Sequence, residues 1–195
     1  MNYPNGIKKG KQDEISKETI NQINHKNRGM TLENDINSSN EYYREIDKAY
    51  IYKKPTPIKI TKVDYPSRDK ALIKEAFFTI PSTTDYNGLY KGKYIDFDAK
   101  ETKSKTSFTL SNIHKHQIEH LKNISRHKGI SFIIVRFTTL NKTYLLRTED
   151  FIEFTDNNKR KSIPIEYFEE KGYLLKDGYI PRIDYLKVID NIIGG

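Results

Sequence analysis

The stretch Ser82–Lys103, STTDYNGLYKGKYIDFDAKETK, decides how the rest of the chain is read. Asp85 sits beside Tyr86-Asn87-Gly88, which reads as a turn. Twelve residues separate Asp85 from Asp98-Ala99-Lys100. From Tyr94 to Glu101, Ile95, Phe97 and Ala99 alternate with Asp96, Asp98 and Lys100, the period of a strand. That period puts the second set on one face, with neighbours about 7 Å apart. Two carboxylates and an ammonium there can hold a divalent cation and leave a positive group for charge developing on a phosphate. An exposed edge strand with solvated charges carries the same letters. D-x12-D-A-K is also short enough to arise by chance. The remaining sequence has to decide.

A chain of 195 residues accommodates one domain with a real core. There are 34 Lys and Arg against 26 Asp and Glu, a formal net charge of +8, and the pI is near 9.3. Such a surplus favours a polyanionic partner. No cysteine is present, which excludes disulfides and thiolate metal sites. No apolar run is long enough for a membrane span, and MNYPNGIKKGKQDE has no apolar secretory core. The expected location is the cytoplasm.

Residues 1–27 read as a flexible basic arm and 28–195 as a single domain. Leu32, Ile36, Tyr43 and Ile46 recur at helical spacing behind Thr31 as a cap, with Glu33 at the border of the buried stripe. Arg28-Gly29 can bring N–H groups and a cation to a phosphate. Lys53–Phe78 reads as a projecting hairpin: Ile58, Ile60 and Val63 on one arm, a turn at Tyr65-Pro66-Ser67-Arg68, and a return through Leu72, Lys74, Ala76 and Phe78. Pro55 and Pro57 exclude a central strand there. A helix is predicted over Ile113–Lys128, strands over Ser131–Phe137 and Thr143–Arg147, a short helix from Ser162 to Lys171, and an amphipathic helix over Asp184–Ile193. The sum is a mixed α/β fold.

Two other motifs compete. His116-Gln117-Ile118-Glu119-His120 has the H-x-x-E-H form of an inverted zinc-peptidase string, but no second ligand motif follows it. Gly88-Leu89-Tyr90-Lys91-Gly92-Lys93 fails as a phosphate loop: its spacing is short and Tyr94 stands where a Ser or Thr should. Gly88 and Gly92 are better read as turn residues. Gln117 can offer its amide oxygen to a metal, or to the water on it, from a helix packed on the Asp98 strand.

MNYPNG, NRGMTLENDI, KKPTPIKI, STTDYNG, YIDFDAKETK, KTSF, HQIEH and PRIDYLKVID together resemble the RecU family of Holliday junction resolvases, within the PD-(D/E)xK nucleases. The resemblance implies a restriction-endonuclease-like mixed sheet flanked by helices, with a β-hairpin stalk at about 53–78 that enters the junction centre. It implies a homodimer making paired symmetric nicks in four-way DNA junctions with Mg²⁺, during recombination and repair. The implied metal site is Thr83, Asp85, Asp98 and Gln117, with Lys100 as transition-state-stabilising base and Glu33 as a further acid on the first helix. Arg28, Lys53, Lys54, Lys62, Arg68, Lys74 and Lys103 are the expected DNA contacts. RecA and a branch-migration helicase are implied partners. Where the family carries IDFEAK, this chain has Asp98, which is shorter by about 1.5 Å. The metal then sits closer to the strand or Asp96 shares in holding it, and Mn²⁺ can substitute for Mg²⁺. The rival expectation is a junction-binding scaffold that has lost its chemistry.

Overall fold

The structure, a computed structural model, describes residues 31–79 and 83–193; the arm at 1–27 and Arg28 lie outside the described residues. The elements are α1 (Leu32–Glu45), β1 (Tyr50–Lys53), β2 (Ile58–Asp64), β3 (Leu72–Phe78), β4 (Tyr86–Tyr90), β5 (Lys93–Thr102), β6 (Ser107–Thr109), α2 (Lys115–Arg126), β7 (Ile130–Phe137), β8 (Lys142–Arg147), α3 (Thr148–Asn157), β9 (Ser162–Pro164), α4 (Ile165–Lys171), β10 (Tyr173–Leu175) and α5 (Tyr185–Ile193).

Strand β5 earns its central place by being apolar and buried on one face and chemically armed on the other. The six-stranded sheet runs β1-β4-β5-β7-β8-β10. Only β5 and β7 pair in parallel; the other pairs are antiparallel. A parallel pair needs a long crossover, and here it passes through β6 and α2. Ile95 and Phe97 join Phe132, Ile134, α1 and α5 in one core layer. Ile133, Val135 and Phe137 join α2, α3, α4 and the small β6–β9 ladder in a second layer across the sheet. Since side chains alternate, Asp96, Asp98 and Lys100 point toward this second layer. Buried Asp35, held by Arg136 at 2.7 Å and Arg182 at 3.0 Å, ties α1 to β7 and to the segment before α5.

The expected projecting hairpin is β2–β3. Every described side chain from Ile58 to Thr79 except Val63 is exposed, including Phe77 at 63% and Phe78 at 82%. Each arm has seven residues. Strand β1 stops at Lys53, before both prolines, and is a sheet edge.

Several expectations need correction. Tyr86-Asn87-Gly88 is strand β4; the turn is Lys91-Gly92, with φ of 49° and 74°. Two consecutive positive φ values in a two-residue loop are the favoured hairpin geometry. Gly88 is required instead because β1 crosses so close that a Cβ would lie 2.1 Å from the Tyr50 carbonyl oxygen. Gly88→Ala is therefore expected to cost about 2–3 kcal/mol, read from urea unfolding. Ile46 is 48% exposed, since α1 ends at Glu45 and Asp47 turns the chain with φ of 54°. Ser162–Pro164 is a strand, and the helix starts only at Ile165. The predicted helix over Ile113–Lys128 is shorter, Lys115–Arg126, although Ile113 is buried ahead of it. Helix α3 and strands β6 and β10 were not predicted.

Candidate functional site

Three side chains converge where β5 faces the start of β4. Lys100 Nζ donates to Asp98 Oδ1 at 2.8 Å and to Asp85 Oδ2 at 3.4 Å. The Ala99 N–H donates to Asp98 Oδ1 at 2.9 Å and, more distantly, to Asp85 Oδ2 at 3.4 Å. The Asp98 side chain is fully buried, while that of Asp85 is 35% exposed and opens the site to solvent.

The electrostatics are asymmetric. Burial, and then the neighbouring Asp85 carboxyl, push Asp98 up to about 8 against the opposing pull of Lys100. Burial also works against Asp85, but the neighbouring Asp98 carboxyl and the charge of Lys100 outweigh it and hold Asp85 below the usual carboxylate value. Lys100 loses solvation to burial, yet the two carboxylates more than compensate, so it stays an ammonium. Without a metal, the trio at neutral pH is therefore an ionised Asp85, a protonated Asp98 and a charged Lys100.

Asp98 Oδ2 is buried without a hydrogen-bond partner. A buried polar oxygen without a partner, protonated or not, carries a desolvation cost of about 1–3 kcal/mol. A divalent cation between Asp98 and Asp85 relieves it, so the donor set fits a hard, oxygen-seeking metal. Among the described residues no third His, Asp or Glu joins the pair.

The other predicted residues are placed less uniformly. Thr83 is exposed, and its Oγ1 accepts from Lys54 Nζ at 3.2 Å. Gln117 is buried at the start of α2, where its Oε1 accepts the His114 N–H at 3.0 Å as part of a capping box. Ligation through that oxygen uses its second lone pair or breaks the cap. Glu33 lies in the first turn of α1 and pairs with Lys53 at 2.5 Å. Its charge, with those of Asp85 and Asp98, adds to burial in raising the Tyr86 hydroxyl. Lys62 and Lys74 pair across the hairpin with Glu75 at 3.7 Å and Asp64 at 2.7 Å. Lys103 is exposed just beyond β5. The backbone of Arg68 opens a single 3-10 turn at the hairpin tip; its side chain lies outside the described residues. Lys54 turns inward and is 14% exposed.

Asp96 takes no part in the carboxylate pair. One oxygen accepts the Thr84 hydroxyl; the other accepts Lys54 Nζ at 2.8 Å and the Tyr94 hydroxyl at 3.0 Å and meets His120 Nε2 at 3.1 Å. The histidines of the H-x-x-E-H string also part company. His116 stacks on His114 with ring centroids 5.4 Å apart, while His120 engages Asp96.

With this geometry in place, likeness to known proteins adds to it. The family described as Recombination protein U matches residues 27–191. The chain belongs to the RecU family. It is 51% identical over 195 residues to a Holliday junction resolvase RecU of Bacillus cereus (strain G9842), covering 98% of both chains. The proteins of the same description from Bacillus thuringiensis (strain Al Hakam) and Bacillus anthracis (strain CDC 684 / NRRL 3495) match to the same extent. RecU membership is consistent with the mixed sheet flanked by helices. What the sequence did not reveal is the inward set around Asp96. Its only signal was the D-x-D spacing on β5, which does not name Lys54 or His120.

Proposed function

We propose that this chain is a Holliday junction resolvase: a divalent-metal-dependent endonuclease that makes paired symmetric nicks in four-way DNA junctions as a homodimer. The observation that carries the reading is the buried, unpartnered Asp98 oxygen beside Asp85 and Lys100. The names of the relatives supply the substrate. Among the described residues no helix is long and apolar enough to cross a membrane.

Asp85 and Asp98 hold the cation, Mg²⁺ with Mn²⁺ as substitute, and Thr83 and Gln117 complete the protein's share. When bound, the metal supplies Lewis-acid activation of the phosphodiester and of water. Lys100, fixed as an ammonium, donates to the phosphate oxygens as negative charge builds on them. Its raised affinity for the proton favours charge stabilisation over proton abstraction. Glu33 and Lys53 form a charged pair at the rim. The exposed hairpin and the basic surplus provide shape and phosphate recognition. Two copies related by a two-fold axis match a two-fold substrate.

Loading the site displaces the proton on Asp98. Mn²⁺ affinity is accordingly expected to rise about tenfold per pH unit below pH 8 and to level off above it. Titration calorimetry across pH 6–9 in buffers of different ionisation heat checks both the slope and the proton release.

The test of the substrate is cleavage of an end-labelled four-way junction beside a linear duplex of the same sequence. Paired nicks at symmetric positions in the junction, with the duplex largely intact, are expected. Tight junction binding without cuts would establish the scaffold reading instead. Binding should also weaken steeply with salt, with a log–log slope steeper than about −4 if five or more phosphates are engaged. A flat response contradicts phosphate-led recognition.

A further inference from the structure

Lys54 stands where the chain leaves β1 for the hairpin, and its side chain turns into the protein. The ammonium donates to Thr84 Oγ1 at 2.5 Å, Asp96 Oδ2 at 2.8 Å and Thr83 Oγ1 at 3.2 Å. An ammonium has three donors and no acceptor, so all three are in use. The Lys54 backbone N–H donates to the Asp85 carbonyl at 2.8 Å. One residue thus grips Thr83, Thr84 and Asp85 in succession, together with the residue two before Asp98 on β5. Asp96 is fully buried, and its remaining bonds go to Thr84, Tyr94 and His120. Such a charge is tolerated in the interior only because it is paired and hydrogen-bonded.

We propose that Lys54 is a positioning residue for the carboxylate site. It fixes the Thr83–Asp85 segment against β5, so that Asp85 stands at metal-binding separation from Asp98. It does so at the root of the hairpin, so the hairpin and the site share one anchor. The sequence had marked Lys54 as a DNA contact; its bonds assign it this other task. The proposal rests on Asp85 and Asp98 being the metal-holding pair.

Lys54→Met keeps the length and removes the charge. Three readouts separate the two tasks: Mn²⁺-dependent thermal shift of the protein without DNA, junction binding against salt in EDTA, and kcat and KM with Mg²⁺. The expected result is an Mn²⁺ midpoint weakened by about tenfold or more, and a comparable loss of kcat. KM and the salt slope should stay as in the wild type. An unchanged midpoint and kcat, with KM raised and the slope reduced by about 0.9, makes Lys54 a phosphate contact and overturns the proposal. A lower melting temperature with no change in midpoint reduces Lys54 to fold stability and also overturns it.

Should Lys54→Met fail to fold, the double variant Lys54→Met/Asp96→Leu removes the buried charge along with its partner. It is expected to fold and still bind Mn²⁺ weakly; a wild-type midpoint there sinks the proposal. The two readings fail distinguishably. A wild-type protein with no Mn²⁺ shift brings down the carboxylate site and the positioning role together. A wild-type shift that Lys54→Met reproduces unchanged brings down the positioning role alone.

Discussion

Asp98→Asn is expected to abolish junction cleavage, by a factor of at least about 10³, while making the metal-free protein more stable. The loss follows from removing one of the two carboxylates that meet Lys100 and, with it, an anionic oxygen that a cation needs. The stability gain follows from the position of Asp98. Its folded value of about 8 lies above the ordinary one near 3.8, so the metal-free fold holds a proton that the unfolded chain gives up. Stability from this group is complete below about pH 4, falls as pH rises, and is lost through pH 8. An amide has no such dependence. The melting temperature of Asp98→Asn should therefore exceed that of the metal-free wild type by a margin that widens from pH 5 to pH 8. Excess Mn²⁺ should reverse the order, because the cation stabilises only the chain that binds it. Equal melting temperatures at pH 8 would show that Asp98 is not strained in the metal-free fold.

Phe97→Ala is expected to cost about 3–5 kcal/mol, near the limit of what a domain of this size tolerates. Phe97 is fully buried and lies between two parallel rings, Tyr86 at 4.9 Å and Phe132 at 4.7 Å, with Tyr185 tilted at 5.2 Å. These contacts join β4, β5, β7 and α5. The residue also separates Asp96 from Asp98, so the cavity sits directly beneath the site. Phe97→Leu, which refills much of the volume, should recover most of the stability. Urea unfolding of both variants measures this. A loss below about 1 kcal/mol for the alanine would mean that the ring stack contributes little.

The two-faced character of β5 was legible because both of its faces carry information: one apolar series for the core and one ionisable series opposite it. The helices α1, α2 and α5 were legible from apolar spacing, and the hairpin from its prolines and alternating arms. The misread elements share a different cause. Gly88 looked like a turn residue because only a non-local fact, the approach of Tyr50 on β1, requires a glycine there. The pairs β6–β9 and β8–β10 are three residues long in register, too short to show a period, and are held by partners far along the chain. Helix α3 follows β8 at Arg147 without a break and without a side-chain cap, so Glu149 and Asp150 in its first turn are what marks its start. Asp85, Asp98 and Lys100, which the structure brings together, had been singled out from spacing and resemblance. The inward fate of Lys54 was not, because its partner Asp96 is 42 residues away and a lysine between a strand and two prolines reads as surface.

The most direct test of the site is single-turnover cleavage of a labelled four-way junction by the wild type and Lys100→Met in Mg²⁺, in Mn²⁺ and in EDTA. Paired nicks by the wild type with either metal and none in EDTA, with the rate falling by at least about 10² in Lys100→Met at unchanged junction binding, are the expected result. Cleavage that persists in EDTA, or a Lys100→Met enzyme that cuts at the wild-type rate, would contradict the assignment of Asp85, Asp98 and Lys100 as the metal-dependent site.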